Sequence, residues 1–273
     1  MSGVSDTRSP RILAIANQKG GVGKTTTTIN LGAALAALGE RVLLIDMDPQ
    51  GNASTGLGID RSQRDVSSYD LLMRQDDLPS AIRPTRFDRL SIVPATSDLS
   101  SVDIELAGER DRIGRLQAAL HDDAIRGFDI VLLDCPPSLN LLTVNGLVAA
   151  DGVLVPLQCE FFALEGISQL LRSVGEVRAS SNPRLVTQGI VLTMYDQRNN
   201  LTADVENDVR ETLGDLVFRT VIPRNVRLSE APSHGVPVLI YDPRSSGSLA
   251  YIELARELRQ RLGRGGSAKG DRA

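Results

Sequence analysis

The chain has 273 residues, of which 41% are hydrophobic, so it can bury a substantial core and lies near the upper size of one domain. Its net charge of -4 and its pI near 5.3 argue against a uniformly basic nucleic-acid-binding protein, so any such surface has to be local. No stretch approaches the ~20 apolar residues of a membrane span, and residues 1–10 lack the apolar core of a signal peptide, which predicts a cytoplasmic protein.

From Arg11 onward, short apolar runs alternate with longer helical patterns, as in βαβ units with a parallel sheet. Residues 42–45 and 130–133 are continuously apolar, which is typical of strands covered by helices on both faces. We therefore predict an α/β fold with a mostly parallel twisted sheet and helices on both faces. One domain is expected to span residues 11–262, with a disordered arm at 1–10 and a flexible tail at 263–273.

The predicted elements alternate along the chain. Strands are predicted at residues 12–16, 41–45, 90–93, 128–133, 153–157, 185–193 and 217–222. Helices are predicted at residues 24–38, 68–73, 78–82, 98–121, 164–178, 202–213 and 248–262. Residues 49–58 are rich in Gly, Asn and Ser and are predicted to be a mobile loop.

Residues 17–28, NQKGGVGKTTTT, join the first predicted strand to the first predicted helix. Glycines let the backbone fold closely around an anion, and the amides of the loop and first helical turn point at it. Lys24 can add positive charge at the outer phosphates, and the Thr25 hydroxyl can ligate magnesium. The pattern predicts a nucleoside triphosphate site and a fold of the P-loop NTPase type, with Gln18 where a glycine is usual and a second lysine at Lys19.

Three carboxylates at predicted strand ends, Asp46, Asp48 and Asp134, can supply the rest of phosphoryl-transfer chemistry. That chemistry requires charge neutralisation and an in-line water more than covalent steps. Asp134 is placed to hold magnesium with Thr25 and Asp48, and Asp48 is our choice for orienting or activating the attacking water. Asp46 could anchor Lys19, join the metal shell or only form a turn with Asp48.

The cysteines and histidines show no pattern of a metal or catalytic site. Cys135 and Cys159 lie in apolar contexts without ligand spacing, which predicts small buried side chains in a reducing compartment. His121 and His234 form no catalytic pair and are predicted to be structural or solvent-facing.

Five segments spread from residue 16 to residue 235 resemble the ParA/Soj-type chromosome-partitioning ATPases of the ParA/MinD family, which carry a deviant Walker A loop. In order, the segments are ANQKGGVGKTT, DMDPQGN, LLDCPPSL, PLQCEFFALEG and IPRNVRLSEAPSHG. The resemblance implies an ATPase that binds ATP and Mg²⁺ and forms a homodimer across the nucleotides. It further implies nonspecific binding of double-stranded DNA in the ATP state, release on hydrolysis stimulated by a ParB-like partner, and association with the nucleoid.

The resemblance also implies roles for individual residues. Lys19 would reach the phosphates of the partner subunit, whereas Lys24 would serve its own, and Asp48 would support hydrolysis, which makes these three the catalytic set. The phosphates would be wrapped by Gly20, Gly21, Val22, Gly23, Lys24, Thr25 and Thr26. The adenine pocket would be lined by Pro223, Arg224 and Asn225.

DNA binding is expected from arginines in the loops after residues 193 and 222. Arg198 and Arg227 are the better candidates, because Arg224 is expected near the nucleotide. The sequence contains no base-reading motif and few aromatic residues, so binding should be nonspecific in sequence and strongly dependent on salt. Residues 256–272 add further positive charge.

Three other functions remain open at this stage. A MinD-like membrane ATPase would need an amphipathic C-terminal helix, but the ending LGRGGSAKGDRA offers lipid nothing apolar, so no membrane binding is expected. A nitrogenase-reductase-like redox ATPase would need paired thiolates at the dimer seam, for which Cys135 and Cys159 are the candidates. A metabolic ligase or kinase would need a substrate site that we do not find.

The short arm before the first strand favours a chromosomal type of partitioning ATPase, although the cargo could be a chromosome, a plasmid or another large assembly.

Overall fold

The fold is built on one eight-stranded sheet. A computed structural model describes residues 9–74, 76–160 and 163–263. The strands are β1 (Arg11–Ile15), β2 (Val42–Asp46), β3 (Arg83–Pro84), β4 (Leu90–Val93), β5 (Ile130–Asp134), β6 (Gly152–Gln158), β7 (Val186–Tyr195) and β8 (Val217–Pro223). Their spatial order is β3-β4-β2-β5-β1-β6-β7-β8, and every pairing is parallel except that of β3 with β4. The predicted mostly parallel sheet is confirmed.

Helices connect the strands and cover the sheet. In the part of the chain that the structure describes they are α1 (Lys24–Ala37), α2 (Asn52–Gly56), α3 (Ser68–Met73), α4 (Leu78–Ala81), α5 (Val102–Glu105), α6 (Arg115–Ala119), α7 (Leu141–Ala149), α8 (Ala163–Ser180), α9 (Asn200–Leu213), α10 (Val226–Glu230), α11 (Val238–Tyr241) and α12 (Ser246–Arg261). Most predicted helix and strand ends fall within three residues of these bounds, and α7, α10 and α11 were not predicted.

Two hydrophobic cores lie on opposite faces of the sheet. Strand β2 shows the division, because Leu43 and Ile45 join the core under α3 to α9, whereas Val42 and Leu44 join the core under α1, α2 and α10 to α12. All four side chains are completely buried. A strand buried on both faces needs apolar residues at every position, which explains the continuous apolar runs of the sequence.

The carboxyl ends of the central strands meet at one edge of the sheet. Asp46 ends β2 and Asp134 ends β5, and the two residues are register partners in adjacent strands. The loop that follows β1 rises from the same edge and leads into α1. Ligands of open α/β sheets bind at this edge, so the fold brings the predicted nucleotide residues together.

The prediction of a mobile loop at residues 49–58 is wrong, because the segment contains α2. Gly51 begins the helix with a φ of 62°, which glycine adopts without strain. The Asp46 carboxylate then accepts hydrogen bonds from the Ser54 backbone amide (2.8 Å) and hydroxyl (2.6 Å). These tertiary hydrogen bonds order a segment whose composition is that of a loop.

The prediction of one helix over residues 98–121 is also wrong. The region consists of α5 and α6 with short 3₁₀ turns at Ser97–Ser101 and Arg112–Gly114. The Asn145 side chain accepts from the Leu116 amide and donates to the Arg112 carbonyl, so α7 satisfies backbone groups that a continuous helix would pair internally. The spacing of the apolar residues nevertheless predicted correctly which side chains are buried, since Leu106, Leu116 and Leu120 all are.

The predicted arm and tail lie largely outside the described residues, namely 1–8 and 264–273. No helix in the described part of the chain combines the length and the hydropathy that crossing a bilayer requires.

Candidate nucleotide site

The conformation of the loop between β1 and α1 is set by two glycines and one tertiary hydrogen bond. Gly21 and Gly23 have φ angles of 76° and 88°, in the left-handed region that favours glycine. The Thr193 hydroxyl donates to the Val22 carbonyl at 2.8 Å, and the Val22 side chain is completely buried. Val22 therefore contributes its backbone to the predicted cradle, while its side chain anchors the loop to the body of the protein.

The two lysines of the loop lie in different environments. Lys24 is buried, and its Nζ donates to the Lys19 carbonyl oxygen at 2.9 Å. Burial lowers the pKa of Lys24, against the attraction of Asp134 and Asp48. The Lys19 side chain is half exposed and forms an ion pair with Glu160. Lys24 thus faces the interior of the site, whereas Lys19 points to its rim, and the possibility that Asp46 anchors Lys19 is wrong.

A pocket of about 330 Å³ lies above the loop. It brings together predicted residues of the loop with Asp48 from the next strand end, and it adds four residues that were not predicted: Gln50, Asn52, Pro137 and Met194. The predicted residues in its wall are Gly20, Gly21, Gly23, Lys24, Thr25, Thr26 and Asp48. Its cationic and amide-rich floor has the chemistry of a polyphosphate site.

Asp48 and Asp46 have different tasks. The Asp48 Oδ1 accepts from the Gln50 amide at 2.9 Å, and its carboxylate borders the phosphate pocket. Asp46 is completely buried and accepts hydrogen bonds from Ser54 and from the Asp48 amide. Burial raises the pKa of Asp46 to about 6. Asp46 therefore shapes the turn and α2, and Asp48 is the carboxylate that faces a ligand.

Asp134 offers one unused oxygen to a cation. The Thr28 hydroxyl donates to Oδ1 at 2.9 Å, whereas Oδ2 is buried and has no hydrogen-bond partner among the described residues. Burial and the neighbouring Asp46 raise the pKa of Asp134 to about 8, against the nearby hydroxyls of Thr25 and Thr28, which stabilise the carboxylate. A buried carboxylate with an unpaired oxygen beside a threonine hydroxyl fits a hard divalent cation, so the residues present suit Mg²⁺.

A second pocket of about 320 Å³ adjoins the first, and Gly23, Thr26 and Met194 line both. It contains the three predicted base-binding residues, Pro223, Arg224 and Asn225, at the carboxyl end of β8. Its other walls are Thr193, Ile222, Leu228, Ser229 and Tyr251. The two pockets form one groove, in which charged and hydroxyl side chains line the first part, while Ile222, Leu228 and Tyr251 contribute aliphatic and aromatic surface to the second.

Tyr251 and Met194 are the main residues of this groove that the sequence analysis missed. Tyr251, from α12, is buried, and its hydroxyl lies 3.1 Å from the Thr27 hydroxyl of α1. Met194 has a φ of 52°, which is rare for a non-glycine residue and is often found at functional sites. The sequence around Met194, near the end of β7, gave no signal of this unusual backbone conformation.

The two arginines predicted to bind DNA lie outside both pockets. The Arg198 side chain is 88% exposed and pairs with Asp196 at 3.0 Å, which lowers the pKa of Asp196 to about 2. Arg227 pairs with Glu230 at 2.8 Å and with Asp242 at 3.4 Å. The Arg224 amide donates to the Tyr195 carbonyl, so the loops that carry these arginines are adjacent.

The cysteines are buried, as predicted. Cys135 lies against α7, where a Cβ added to Gly146 would approach its Sγ to 3.0 Å. Burial raises the pKa of both thiols, that of Cys159 to about 11. Neither environment favours the thiolate that an iron-sulfur cluster requires.

The chain resembles known proteins over most of its length. A protein-family model described as "AAA domain" matches residues 10–187. The chain is 61% identical over 251 residues to the chromosome partitioning protein ParA of Caulobacter vibrioides, covering 91% of this chain and 93% of the relative. It is 51% identical over 249 residues to the sporulation initiation inhibitor protein Soj of Bacillus subtilis, covering 91% and 98%.

A solved structure shares the fold and was determined with a nucleotide. It is described as cobyrinic acid a,c-diamide synthase from Mycobacterium smegmatis with bound ATP analog and magnesium. The TM-score is 0.79 at 39% sequence identity, and the match covers 92% of this chain and 95% of that one.

Proposed function

The chain belongs to the ParA/Soj family of chromosome-partitioning ATPases, and from that membership we propose that it hydrolyses ATP in the groove described above to segregate DNA. The observation that carries the proposal is the junction of two pockets at Gly23, Thr26 and Met194, since one end suits a polyphosphate and the other a base. Relatives of this chain carry names from chromosome partitioning, and a structural neighbour holds an ATP analog with magnesium.

In the proposed reaction, the loop amides and Lys24 hold the phosphates, and their positive charge stabilises the charge that develops on the transferred phosphoryl group. Thr25 and Asp134 would hold Mg²⁺, with Asp48 nearby, and the ion supplies further neutralisation of phosphate charge. Asp48, which borders the same pocket, orients the attacking water. Pro223, Arg224 and Asn225 hold the base.

We also propose that ATP joins two copies of the chain face to face. Lys19 supports this, because its half-exposed ammonium lies at the rim of the site and its partner Glu160 is also solvent-exposed. An exposed ion pair of this kind is worth at most about 1 kcal/mol, so the phosphates of a second subunit can displace Glu160. Lys19 would then complete the partner's site rather than its own.

Two variants test whether Lys24 binds the subunit's own ATP and Lys19 that of the partner. Lys19→Ala should bind ATP but stay monomeric, whereas Lys24→Ala should lose ATP binding, because its ammonium is inside the pocket. Size-exclusion chromatography with MgATP and a direct nucleotide-binding assay read the two properties separately. A normal ATP-induced dimer of Lys19→Ala would contradict the assignment.

DNA release is the proposed outcome of hydrolysis. The ATP-bound dimer would bind duplex DNA without sequence preference through Arg198 and Arg227 and associate with the nucleoid, and a ParB-like protein would stimulate hydrolysis. ATP turnover measured with DNA and candidate partner, separately and together, tests this scheme. Synergy between DNA and the partner is the expected result, and additive or absent stimulation would contradict the scheme.

Flotation with liposomes should show no membrane binding, which separates this function from that of a MinD-like ATPase.

A further inference from the structure

Two glycines bring distant parts of the chain into direct backbone contact. Gly58 follows the last turn of α2 and Gly235 ends the 3₁₀ turn Ala231–His234, with φ angles of 75° and 64°. A Cβ on Gly58 would lie 2.9 Å from the Gly235 carbonyl oxygen, and a Cβ on Gly235 would lie 2.8 Å from the Gly58 Cα. Either position admits a side chain only if a backbone moves.

One side of this contact begins at the proposed hydrolytic residue. The Gly51 amide donates to the Asp48 carbonyl at 2.8 Å, and the next residue, Asn52, both starts α2 and borders the phosphate pocket. Helix α2 has only five residues, so about 7.5 Å of rigid helix separates the pocket from Gly58. A shift of the Asp48 segment that carries α2 with it would reach Gly58.

The other side of the contact leads to the proposed DNA surface. The 3₁₀ turn that ends at Gly235 continues directly from α10, which carries Arg227 and is capped by the base-pocket residue Asn225. The turn also meets α2 at Pro232, whose Cβ would be 3.5 Å from a Cβ on Gly56. Movement of α2 would therefore be transmitted to α10.

The rest of the C-terminal segment is attached to α1 instead. The Val238 amide donates to Asn30 Oδ1 at 2.8 Å, and Tyr251 meets Thr27. These contacts hold α11 and α12 to the helix of the phosphate loop. Helix α10 is tied to both through the Asn225–Ser246 and Tyr241–Glu230 hydrogen bonds at 2.7 and 3.1 Å, whereas the 3₁₀ turn that follows it meets α2. The segment that carries Arg227 therefore lies between α2 on one side and α11 and α12 on the other, and Arg227 itself pairs with Asp242 at 3.4 Å.

We propose that Gly58 and Gly235 are positioning residues that couple the nucleotide state of the Asp48 segment to the DNA contact made by Arg227. The proposal rests on the proposed function, since it explains how hydrolysis would weaken DNA binding within one subunit. The absence of side chains at both positions keeps the two backbones close enough for a small displacement to be passed on.

The test compares Gly58→Ala with Gly39→Ala in the full chain. Gly39 also follows the C-cap of a helix with positive φ, but its Cβ would have nothing within 4 Å, so it reproduces the backbone strain without the contact. Duplex DNA affinity is measured with MgATP and with MgADP, together with the affinity for each nucleotide. Gly58→Ala should reduce the ATP-to-ADP ratio of DNA affinities by about fivefold or more, the range of typical allosteric coupling, while Gly39→Ala keeps the wild-type ratio.

An unchanged ratio in Gly58→Ala would overturn the proposal. If that variant does not fold, Pro232→Gly loosens the same contact without adding atoms, and it should also lower the ratio; a wild-type ratio there would overturn the proposal equally. A wild-type protein that binds DNA equally with both nucleotides would refute the proposed function itself, which is a different result from failure of the glycine contact.

Discussion

Asp134 illustrates how a functional residue can cost stability. Its carboxyl is completely buried beside Asp46, and one of its oxygens has no hydrogen-bond partner among the described residues. Its pKa of about 8 lies above the usual 3.8, so the folded state keeps a proton that the unfolded state has released. The contribution of this residue to stability is therefore present at low pH and is lost as the pH rises from about 4 to about 8.

Asp134→Asn should stabilise the nucleotide-free protein at pH 8 and leave it nearly unchanged at pH 4, because asparagine resembles the protonated carboxyl. The gain should be on the order of 1 kcal/mol, or about 2–4 °C in melting temperature. The variant should also lose the extra stabilisation that Mg²⁺ gives in the presence of ATP. Thermal unfolding at several pH values measures both effects, and a variant less stable than wild type at pH 8 would contradict the first.

Glu160 restrains Lys19 in the nucleotide-free subunit. Glu160→Gln should lower the ATP concentration needed for half-maximal dimerisation by up to about fivefold, since an exposed ion pair contributes at most ~1 kcal/mol. Analytical ultracentrifugation over an ATP titration provides the measurement. Glu165→Gln, an exposed carboxylate in the first turn of α8, is the matched control and should behave as wild type. A higher ATP requirement for Glu160→Gln would mean that Glu160 supports the dimer instead.

The phosphate loop could be predicted from the sequence because its residues are contiguous and each has a chemical reason for its position. The roles of Glu160 and Tyr251 could not be predicted, although Glu160 contacts the loop and Tyr251 contacts the helix that follows it. They are 141 and 224 positions away from their partners Lys19 and Thr27, so only the folded chain brings them there. The restraint on Lys19 and the wall of the base pocket therefore required the structure.

At the level of secondary structure, β8 and α12 are joined by one carboxylate. Glu257 accepts hydrogen bonds from the backbone amides of Arg219 and Thr220 at 2.9 and 3.0 Å, and from the Arg261 side chain. Burial alone would raise the pKa of Glu257, but these hydrogen bonds outweigh burial and hold the pKa below its usual 4.5. The edge strand of the sheet is thus fastened to the last helix.

Glu257→Gln should destabilise the protein by about 1–2 kcal/mol at pH 7, because two partly buried amides lose a charged acceptor. Since the folded pKa is lower than the unfolded one, this stability is present above pH 4.5 and disappears as the pH falls below it, so wild type and variant should converge in acid. Denaturant unfolding at pH 7 and at pH 3.5 tests both statements. Glu253→Gln, on the exposed face of the same helix, should change little, and equal losses in the two variants would contradict this account.

Most strands and long helices could be predicted, because buried strands and amphipathic helices leave different spacings of apolar residues. The failures lie where tertiary hydrogen bonds decide the local structure. Asp46 orders α2 in a segment rich in loop-forming residues, and Asn145 interrupts what spacing alone suggests is one helix. Spacing reports which residues are buried, whereas a side chain from another element decides whether the backbone between them is continuous.

On the scale of the molecule, the carboxyl edge of the sheet gathers the nucleotide site, and the loops after β7 and β8 place Arg198 and Arg227 near it. The convergence of strand ends could be predicted, since parallel strands share an edge. The order of the strands in the sheet could not be predicted, because apolar runs do not indicate which strands are neighbours. Nor did the sequence reveal that both arginines are paired with carboxylates, which DNA phosphates would have to displace in the proposed complex.

Arg198→Ala should weaken binding to duplex DNA equally for all sequences and reduce the magnitude of the slope of log affinity against log salt by about 1. Arg219→Ala is the control, because this arginine is similarly exposed at 83% but lies near the start of β8 instead of after a strand end. Fluorescence anisotropy with MgATP, at salt concentrations from about 50 to about 200 mM, measures the DNA affinity and its salt slope for each variant. Equal slopes for wild type and Arg198→Ala would exclude Arg198 from the DNA surface.

The hydrogen bond from Lys24 to the Lys19 carbonyl would give the proposed assembly an order in time. The ammonium that would receive the phosphates is hydrogen-bonded to the backbone of the residue that a second subunit would use. ATP in a subunit's own pocket would draw that ammonium away and free the chain at Lys19, so ATP binding would precede pairing. We expect the dimer to form from two loaded subunits, and a mixture of loaded and empty chains to exchange partners without retaining mixed pairs.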